Sequence, residues 1–222
     1  RLIKLSLIKA IDKIQTRPLP RTDSRPRSDT PPHANLGGSE SSHVIELILE
    51  KFKLNRFHPN EHSETSIHNS SGNYIICLRK GSTLPTTTIK PILTNFEGRQ
   101  VIYTGIAGTS LRVRDFKQHF IGTNAGRSTL RKSLGALFGF RFIPRDSDPS
   151  NGKTKFSETD EIKLSKWMRE HLVMFFLSTS GFSTLEEKLI RHFNPPLNIK
   201  GNMHPVNADF RSLLTSLRNL RS

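Results

Sequence analysis

The sequence predicts a mixed α/β layer structure, in which helices flank a small, mostly antiparallel sheet of three strands. Short apolar runs rich in strand-forming residues stand at 74–78, 101–104 and 173–177. Segments with helical periodicity follow or separate these runs, as expected when helices pack on a sheet. The chain has 222 residues, which is enough for one domain with a hydrophobic core and some appendages.

An N-terminal extension is predicted over 1–71. Residues 1–15 alternate apolar side chains and lysines at a roughly helical spacing, which predicts a short amphipathic helix. From 16 to 42 the chain is rich in Pro, Arg, Ser and Gly, a composition that cannot bury enough apolar surface to order itself. We expect a disordered linker there, followed by a second helix over 43–57.

The main domain is predicted over 72–202, with a helical tail over 203–222. Its first two strands are joined by about twenty residues that include glycines and prolines, which suits a long hairpin with an excursion. Helices are expected over 110–120, 128–138, 157–170, 183–194 and 208–220. Ser157 and Ser183 each precede an acidic residue by three positions, the spacing of a helix-capping box.

The charge of the chain indicates a polyanionic partner. Lys and Arg number 34 against 19 Asp and Glu, a formal net charge of +15, so nucleic acid is the first candidate partner. No stretch approaches the roughly 18 to 20 apolar residues of a membrane-spanning helix. The single cysteine, Cys77, excludes an internal disulfide, and no Cys/His grouping suits a structural zinc site. These observations favour a soluble protein of the reducing cytoplasm.

The only two tyrosines of the chain are its most informative feature. Tyr74 starts the first predicted strand two residues after Gly72, and Tyr103 lies near the end of the second strand, two residues before Gly105. Taken alone, a tyrosine at a strand end is often an edge residue with a buried ring and a wet hydroxyl. Further candidate residues follow in later elements, namely Arg114, Glu186 and Asn198.

These pieces resemble the GIY-YIG nuclease superfamily. The matching segments, in the order of the family, are GNYIICL, VIYTGIAG, SLRVR with Arg114, LEEKLIRHF with Glu186, and PPLN with Asn198. The resemblance covers 72–202 and implies the family's fold, its nuclease activity and a nucleic-acid substrate. The two tyrosines are 29 positions apart, which makes the chain more similar to restriction-enzyme members of bacteria than to the compact members.

The resemblance implies a catalytic site formed by Tyr74, Tyr103, Arg114, Glu186 and Asn198. Glu186 would bind Mg²⁺ or Mn²⁺, because such ions commonly take one or two protein carboxylates and complete their shell with water and substrate phosphate. Arg114 offers a planar, permanently charged fork that matches phosphate oxygens. Tyr74 is the candidate that orients or deprotonates the attacking water, with Tyr103 assisting.

The chain departs from the family pattern at two positions. Ile106-Ala107-Gly108 stands where members often have a lysine, and Gln118 stands where many have His or Tyr one helical turn after Arg114. One extra residue around Asp115-Phe116 would bring His119 into that role. His119 is therefore included among the candidate catalytic residues, as a relay for the tyrosine proton.

A segment dense in Arg and Lys, residues 122–145, follows the arginine helix. Its basic side chains are interspersed with hydroxyls and glycines, the mixture that binds a phosphate backbone. A solvated basic face is the structural alternative. The residues expected to contact nucleic acid are Arg112, Arg127, Arg131, Lys132, Arg141 and Arg145.

The function predicted on this basis is a metal-dependent DNA endonuclease that leaves 5′-phosphate and 3′-hydroxyl ends. A restriction-like or DNA-processing role on double-stranded DNA is expected, and a homodimer would suit cutting at a two-fold site. Two alternatives stay open. One is a nucleic-acid-binding module on a nuclease-derived fold that no longer cuts, and the other is an interaction protein that uses the Pro/Arg arm.

Overall fold

The computed structural model describes residues 37–220, with the side chains of 43–148 and 150–220. The predicted helix over 1–15 and most of the predicted linker lie outside the described residues. From Val44 onward the chain folds as one compact unit. Within the described range, every helix is too short or too polar to span a bilayer.

Helices and antiparallel strands alternate along the described part of the chain. The α-helices are α1 (Gly37–Lys53), α2 (Thr129–Leu137), α3 (Glu158–His171), α4 (Phe182–Phe193) and α5 (Ala208–Asn219). A π-helix covers Arg112–Phe120, and short 3₁₀ helices cover Glu64–Ser66, Ala125–Arg127, Pro149–Asn151 and Pro205–Asn207. The strands are β1 (Arg56–Phe57), β2 (Gly72–Leu78), β3 (Asn95–Phe96), β4 (Arg99–Ala107), β5 (Phe142–Pro144), β6 (Thr154–Phe156) and β7 (Leu172–Ser178).

The main sheet has five antiparallel strands in the order β1-β7-β2-β4-β3. The three predicted strands are β2, β4 and β7 at the centre of this sheet. The predicted number of three strands was wrong, because β1 and β3 each add a short strand at one edge. Each edge strand has only two residues, too few for a two-residue periodicity to be visible. The turn from β3 to β4 uses Glu97 and Gly98 at positive φ, 52° and 65°, as a tight hairpin turn requires.

The sheet is buried on both faces, so the structure has three layers. All seven residues of β2 are buried, and alternate side chains enter two different cores. Tyr74 and Ile76 pack in a core with residues of α2, α3 and α5. Ile75 and Cys77 pack in a core with residues of α1 and α4. Burial on both faces explains why β2 reads as a continuous apolar run rather than an alternating one.

Helix α1 differs from its predicted bounds at both ends. It begins at Gly37, inside the predicted linker, and ends at Lys53 rather than at Phe57. Its first turns carry polar residues with no apolar stripe, so periodicity gave no signal there. Arg56 and Phe57 leave the helix because they pair with β7 in the main sheet.

Only one of the two predicted serine caps forms. Ser157 caps α3, and its Oγ accepts a hydrogen bond from the Asp160 backbone N–H at 3.2 Å. Helix α4 instead begins at Phe182 with Gly181 as its N-cap and no side-chain cap. Ser183 and Glu186 are therefore both inside the helix, and the predicted capping role of Glu186 was wrong.

Candidate active site

Two neighbouring strands bring the two tyrosines to one face of the main sheet. Tyr74 on β2 stands opposite Gly105 on β4, and Tyr103 stands opposite Ile76. The two phenol ring centroids are 6.2 Å apart, and both rings are part of the core that holds α2, α3 and α5. The long hairpin predicted between the two strands therefore places the two tyrosines side by side.

A β-bulge in β4 aims Tyr103 at this face. Tyr103 pairs with Ile76 and Val101 pairs with Cys77, so Ile102 is an extra residue between them. In a regular strand Tyr103 and Val101 would point to the same side. Because of the bulge, Val101 packs in the α1 and α4 core while Tyr103 packs on the side of Tyr74, and bulges commonly re-aim a side chain in this way.

Gly105 lets the ring of Tyr74 lie flat against β4. A Cβ atom at Gly105 would overlap the hydroxyl oxygen and the Cζ atom of Tyr74. We expect Gly105→Ala to push this ring out of position and to lower the free energy of unfolding by about 1–3 kcal/mol, as overpacking typically does. Chemical denaturation checks this result.

Gly108→Ala is the matched control for that substitution. The nearest atom to a Cβ at Gly108 is the Phe182 Cζ, at 3.9 Å, so this variant should keep the parent stability. Equal stability of the two variants would contradict the close packing of Tyr74 against Gly105.

The helix that carries Arg114 is a π-helix over Arg112–Phe120. Its wider turns make hydrogen bonds to the fifth preceding residue, and the Ile121 N–H closes the last one to the Phe116 carbonyl at 3.1 Å. Residues five apart, such as Arg114 and His119, therefore share a face. The widened helix is compatible with the one-residue insertion considered from the sequence, which stays a prediction.

His119 connects Tyr74 to the start of α2 by two short hydrogen bonds. The Nε2 atom of His119 lies 2.8 Å from the Tyr74 hydroxyl oxygen, and its Nδ1 atom lies 2.7 Å from the Ser128 Oγ. Tyr74 and His119 are fully buried, and Ser128 is 2% exposed. These three side chains form a continuous hydrogen-bonded row.

The electrostatic environment keeps this row uncharged at neutral pH. Burial raises the pKa of Tyr74 well above its usual value, and Arg114 only partly opposes this shift. Burial likewise raises the pKa of Tyr103 to about 12. Burial lowers the pKa of His119 well below its usual value, and the positive charges of Arg114 and Arg131 lower it further.

Asp115 lies beside this row with its carboxylate fully buried. Its Oδ1 atom is 3.8 Å from the Nε2 of His119, and neither oxygen has a hydrogen-bond partner among the described residues. Burial raises the pKa of Asp115 well above its usual value, although Arg114 opposes the shift.

The neutral state of His119 predicts a pH-dependent stability. Below the ordinary histidine pKa of 6.5 the unfolded chain binds a proton that the buried, pKa-lowered His119 of the folded chain does not bind. The free energy of unfolding should therefore fall as the pH decreases from 6.5, by up to about 1.4 kcal/mol per pH unit for this group. Urea denaturation between pH 7.5 and 5 measures this decrease. In His119→Gln the contribution of His119 to it should vanish, and an unchanged dependence of the free energy of unfolding on pH would contradict the account.

Arg114 is half-buried between the tyrosines and the 3₁₀ turn before α2. Its Nη1 donates to the Gln118 Oε1 at 2.9 Å and to the Arg127 carbonyl at 3.2 Å. Its Nε is buried and has no hydrogen-bond partner among the described residues. The two contacts of Nη1 hold the guanidinium in place, and the part of it that is not buried can bind an anion.

Glu186 on α4 interacts electrostatically with the same site. Burial raises the pKa of its carboxyl, and the charge of Arg114 opposes this shift. Both Glu186 and Arg114 in turn affect the pKa of Tyr103, so the three side chains are electrostatic neighbours. Within the described part of the chain the Glu186 carboxylate is half-buried and makes no hydrogen bond or ion pair.

These residues fit one type of metal site. The described range contains no group of three or more His, Cys, Asp or Glu side chains that could hold a metal, so a zinc-type site does not fit. Mg²⁺ or Mn²⁺ needs only one or two protein carboxylates when water and a substrate phosphate supply the other oxygens. Glu186, with unpaired oxygens beside Arg114 and Tyr103, meets that requirement.

The side chain of Asn198 is hydrogen-bonded to the backbone of β4, the strand that carries Tyr103. Its Nδ2 donates to the Thr104 carbonyl at 2.8 Å, and its Oδ1 accepts the Thr104 N–H at 2.9 Å. The neighbouring Leu197 N–H also binds the Ile102 carbonyl at 3.1 Å. These bonds fix the bulged end of β4 that carries Tyr103.

The predicted phosphate contacts lie in different environments. Arg127 and Arg141 are exposed, Lys132 is half-buried, the Arg112 Nε donates to the Ile67 carbonyl, and Arg145 is paired with Asp146. Arg131 is fully buried, and its prediction as a nucleic-acid contact was wrong. Its guanidinium forms an ion pair with Glu161 at 2.6 Å. This pairing compensates for the cost of burying the positive charge.

Four residues near the site were missed by the sequence reasoning, namely Asp115, Gln118, Ser128 and Arg218. Arg218 on α5 acts electrostatically on Tyr103. Burial lowers the pKa of Lys132, and the positive charges of Arg218 and Arg145 lower it further. Arg218 was missed because it lies in the predicted tail. Ser128 had a readable signal, since it stands at the N-cap position of a predicted helix.

Comparison with known proteins agrees with this geometry. Neither the curated proteins nor the solved structures gave a match to the chain. The family model described as the GIY-YIG catalytic domain matches residues 72–220. That range is more than half of the chain, and it includes both tyrosines, Arg114, His119, Glu186 and the helix that carries Arg218. The chain therefore belongs to the GIY-YIG nuclease family.

Proposed function

We propose that this chain is a metal-dependent endonuclease that hydrolyses phosphodiester bonds of double-stranded DNA. The observation that carries the proposal is the convergence of five side chains from β2, β4, the π-helix and α4 on one site: Tyr74, Tyr103, Arg114, His119 and Glu186. They supply the chemical groups that phosphodiester hydrolysis requires, namely a proton acceptor, a fixed cation and a carboxylate.

The first requirement is the attacking water. Tyr74 lies at the site with its oxygen bound to His119, so we assign it to orient the water and to receive its proton while its own hydroxyl proton passes to the His119 Nε2. The raised pKa of Tyr74 disfavours a free phenolate at neutral pH, and proton transfer is therefore expected to accompany attack on phosphorus. Tyr103, on the neighbouring strand, assists by packing against the reacting group.

The second requirement is stabilisation of the charge that develops on phosphorus. Arg114 is held by two hydrogen bonds and is only half-buried, so the accessible part of its guanidinium can bind phosphate oxygens without rearranging. Glu186 would hold Mg²⁺ or Mn²⁺, which when bound supplies further charge stabilisation at the phosphate and at the leaving oxygen. Cleavage of the bond to the 3′-oxygen then leaves 5′-phosphate and 3′-hydroxyl ends.

The basic surface near the site supports nucleic acid as the substrate. Lys132 interacts electrostatically with Arg145 and Arg218, Arg218 also acts on Tyr103, and Arg127 and Arg141 are exposed. Such side chains neutralise backbone phosphates. We assign Asn198 a positioning role through β4, since its amide is occupied by Thr104.

A restriction-like role in the bacterial cytoplasm is part of the proposal. It rests on the separation of the tyrosines, which are 29 positions apart, because the long excursion between β2 and β4 could carry recognition contacts. A homodimer would place two such sites across a two-fold DNA sequence.

One observation favours a second candidate function, a nucleic-acid-binding module that does not cut. Ile106-Ala107-Gly108 lacks the lysine that family members often carry there, and such a charge would help a tyrosine to lose its proton. This module would bind DNA with a steep salt dependence and would leave it intact.

The experiment that separates the two functions follows the products formed from end-labelled duplex DNA and RNA. Incubation with Mg²⁺ or Mn²⁺ should cut the duplex, and EDTA should prevent it. The DNA products should be joined again by a ligase without prior treatment, because ligation needs a 5′-phosphate and a 3′-hydroxyl. Salt-sensitive binding without cutting of any substrate would instead favour the binding module.

A further inference from the structure

We propose that a cavity between the segment after α2 and the last turn of α5 binds a single unpaired nucleobase of the DNA substrate. The inference rests on the proposed function, because it takes DNA as the ligand. It deepens that function, because it names an unpaired base close to the cut site as a feature that the protein recognises.

The cavity is small and opens at the surface. Its volume is about 220 Å³, below the roughly 300 to 1,000 Å³ of pockets that enclose a whole drug-sized ligand. It therefore suits one planar ring system rather than a complete nucleotide or cofactor. Arg141 and Leu220 are exposed at its walls, so a ligand can enter from solvent. The lining includes Ala136, Phe140, Arg141, Phe142, Leu217 and Leu220.

The C-terminal turn of α2 fixes the aromatic wall of the cavity. Gly139 adopts a positive φ of 71°, and its N–H donates to the Ala136 carbonyl at 3.0 Å. The Phe140 N–H donates to the Gly135 carbonyl at 3.0 Å, which completes a Schellman motif. After this turn Phe140 stacks on Phe138, with ring centroids 5.4 Å apart and 18° between the ring planes. The Phe140 ring is therefore held at the cavity before a ligand binds.

The walls favour a planar aromatic ligand. Phe140 and Phe142 supply aromatic surface, and Leu217 and Leu220 supply aliphatic surface. Every nucleobase has π faces that stack on aromatic side chains whatever the sequence. A base inside a duplex is already stacked on its neighbours, so only an unpaired base, or one that leaves the stack, can enter a cavity of this kind.

The charges around the cavity favour a ligand that carries phosphate. Arg141 is exposed, and the lining, all of it within the described residues, contains no acidic side chain. Lys132 lies one turn before Ala136 on α2, Arg218 follows Leu217 on α5, and the two cations interact electrostatically. Such cations neutralise the backbone phosphates on either side of an extruded base, whereas an apolar peptide has no charge for them to neutralise.

Helix α5 connects the cavity to the candidate active site. Arg218 acts electrostatically on Tyr103, and its Nη1 donates to the Ser133 Oγ of α2 at 3.4 Å. The adjacent Leu217 lines the cavity. Because neighbouring residues of one helix face both places, a base in the cavity would belong to a nucleotide close to the scissile phosphate.

Three duplexes of equal length test the cavity by fluorescence anisotropy in EDTA, which prevents cutting. One is fully paired, one carries a single extra thymine, and one carries a stable abasic nucleotide in place of that thymine. The last two share the added phosphate and differ only in the base. We expect the parent to bind the thymine duplex about tenfold more tightly than the abasic duplex, within the range for stacking of one base on an aromatic ring. Equal dissociation constants for these two duplexes would overturn the proposal.

Phe140→Leu keeps an apolar side chain and removes the aromatic face. The preference for thymine over the abasic nucleotide should fall to about twofold or less, while the affinity for the paired duplex stays close to that of the parent. The preference is a ratio of two dissociation constants from one preparation, so a partly unfolded variant does not alter it. An unchanged preference in Phe140→Leu would overturn the proposal.

Leu220→Ala tests the exposed wall of the cavity. It should lower the preference by about two- to threefold, because it removes part of the apolar surface that a base would cover. Leu54→Ala is the matched control, since Leu54 is 83% exposed and lies outside the cavity lining. It should keep the parent preference, and an equal loss in both variants would overturn the proposal.

Failure of this inference and failure of the proposed function are distinguishable. Cutting of duplex DNA in Mg²⁺ or Mn²⁺, without a preference for the thymine duplex, would overturn the base-binding cavity and retain the nuclease. A preference that is lost in Phe140→Leu, in a protein that never cuts, would support the cavity and reject the nuclease. Absence of binding to all three duplexes would overturn both.

Discussion

Glu186→Gln should abolish DNA cutting while leaving DNA binding nearly intact. The substitution keeps the size of the side chain and removes the charge that would hold the metal ion. A bound divalent ion supplies several kcal/mol of transition-state stabilisation, so the single-turnover rate should fall by roughly 10³-fold or more. Fluorescence anisotropy with a labelled duplex in Ca²⁺ should show a dissociation constant close to that of the parent.

The adjacent residue provides the control for this variant. Glu187 lies next to Glu186 on α4 and is exposed, so Glu187→Gln makes the same change in net charge outside the site. It should cut DNA at the parent rate. If both variants cut equally well, Glu186 is not the metal ligand and the mechanism proposed above is wrong.

Arg114→Lys should lower the cutting rate by about 10²- to 10³-fold although it retains a positive charge. A lysine cannot reproduce the planar fork that contacts the Gln118 side chain and the Arg127 carbonyl while it binds phosphate oxygens. Loss of one fixed donor to the developing negative charge typically has an effect of this size. The rate constant should change far more than the affinity for DNA, which single-turnover kinetics at saturating protein will separate.

Lys117→Met on the same π-helix tests whether general loss of charge explains such an effect. Lys117 is exposed and has no assigned part in the site, so this variant should change the cutting rate little. An equal loss of rate in Lys117→Met would show that long-range electrostatics, and not phosphate contact by Arg114, determines the result.

Sequence reasoning identified the residues whose chemistry and local context are visible together. Tyr74 and Tyr103 stood out because each is followed or preceded by a glycine at a strand end, and the structure explains Gly105 by its contact with the Tyr74 ring. Ser157 was recognisable as a helix cap because capping is a local interaction. The three central strands were visible because each is a buried apolar run.

The contributions that sequence reasoning missed depend on contacts between distant parts of the chain. The bulge that turns Tyr103 depends on how β4 pairs with β2, and nothing in the residues of β4 alone reveals it. Arg131 looked like a surface cation until its pairing with Glu161, 30 positions away, was known. The residues of the π-helix are equally compatible with an ordinary α-helix. The sequence therefore predicted a helix there but not its wider turns.

The most direct test of the central claim is the conversion of supercoiled plasmid by the unmodified protein. In Mg²⁺ or Mn²⁺ the account predicts nicked and then linear DNA, and it predicts no conversion with EDTA or with Glu186→Gln. Binding that weakens steeply with salt but never breaks a strand, in any of these metals and on duplex, branched or RNA substrates, would contradict the claim that the site formed by Tyr74, Arg114 and Glu186 is a nuclease centre.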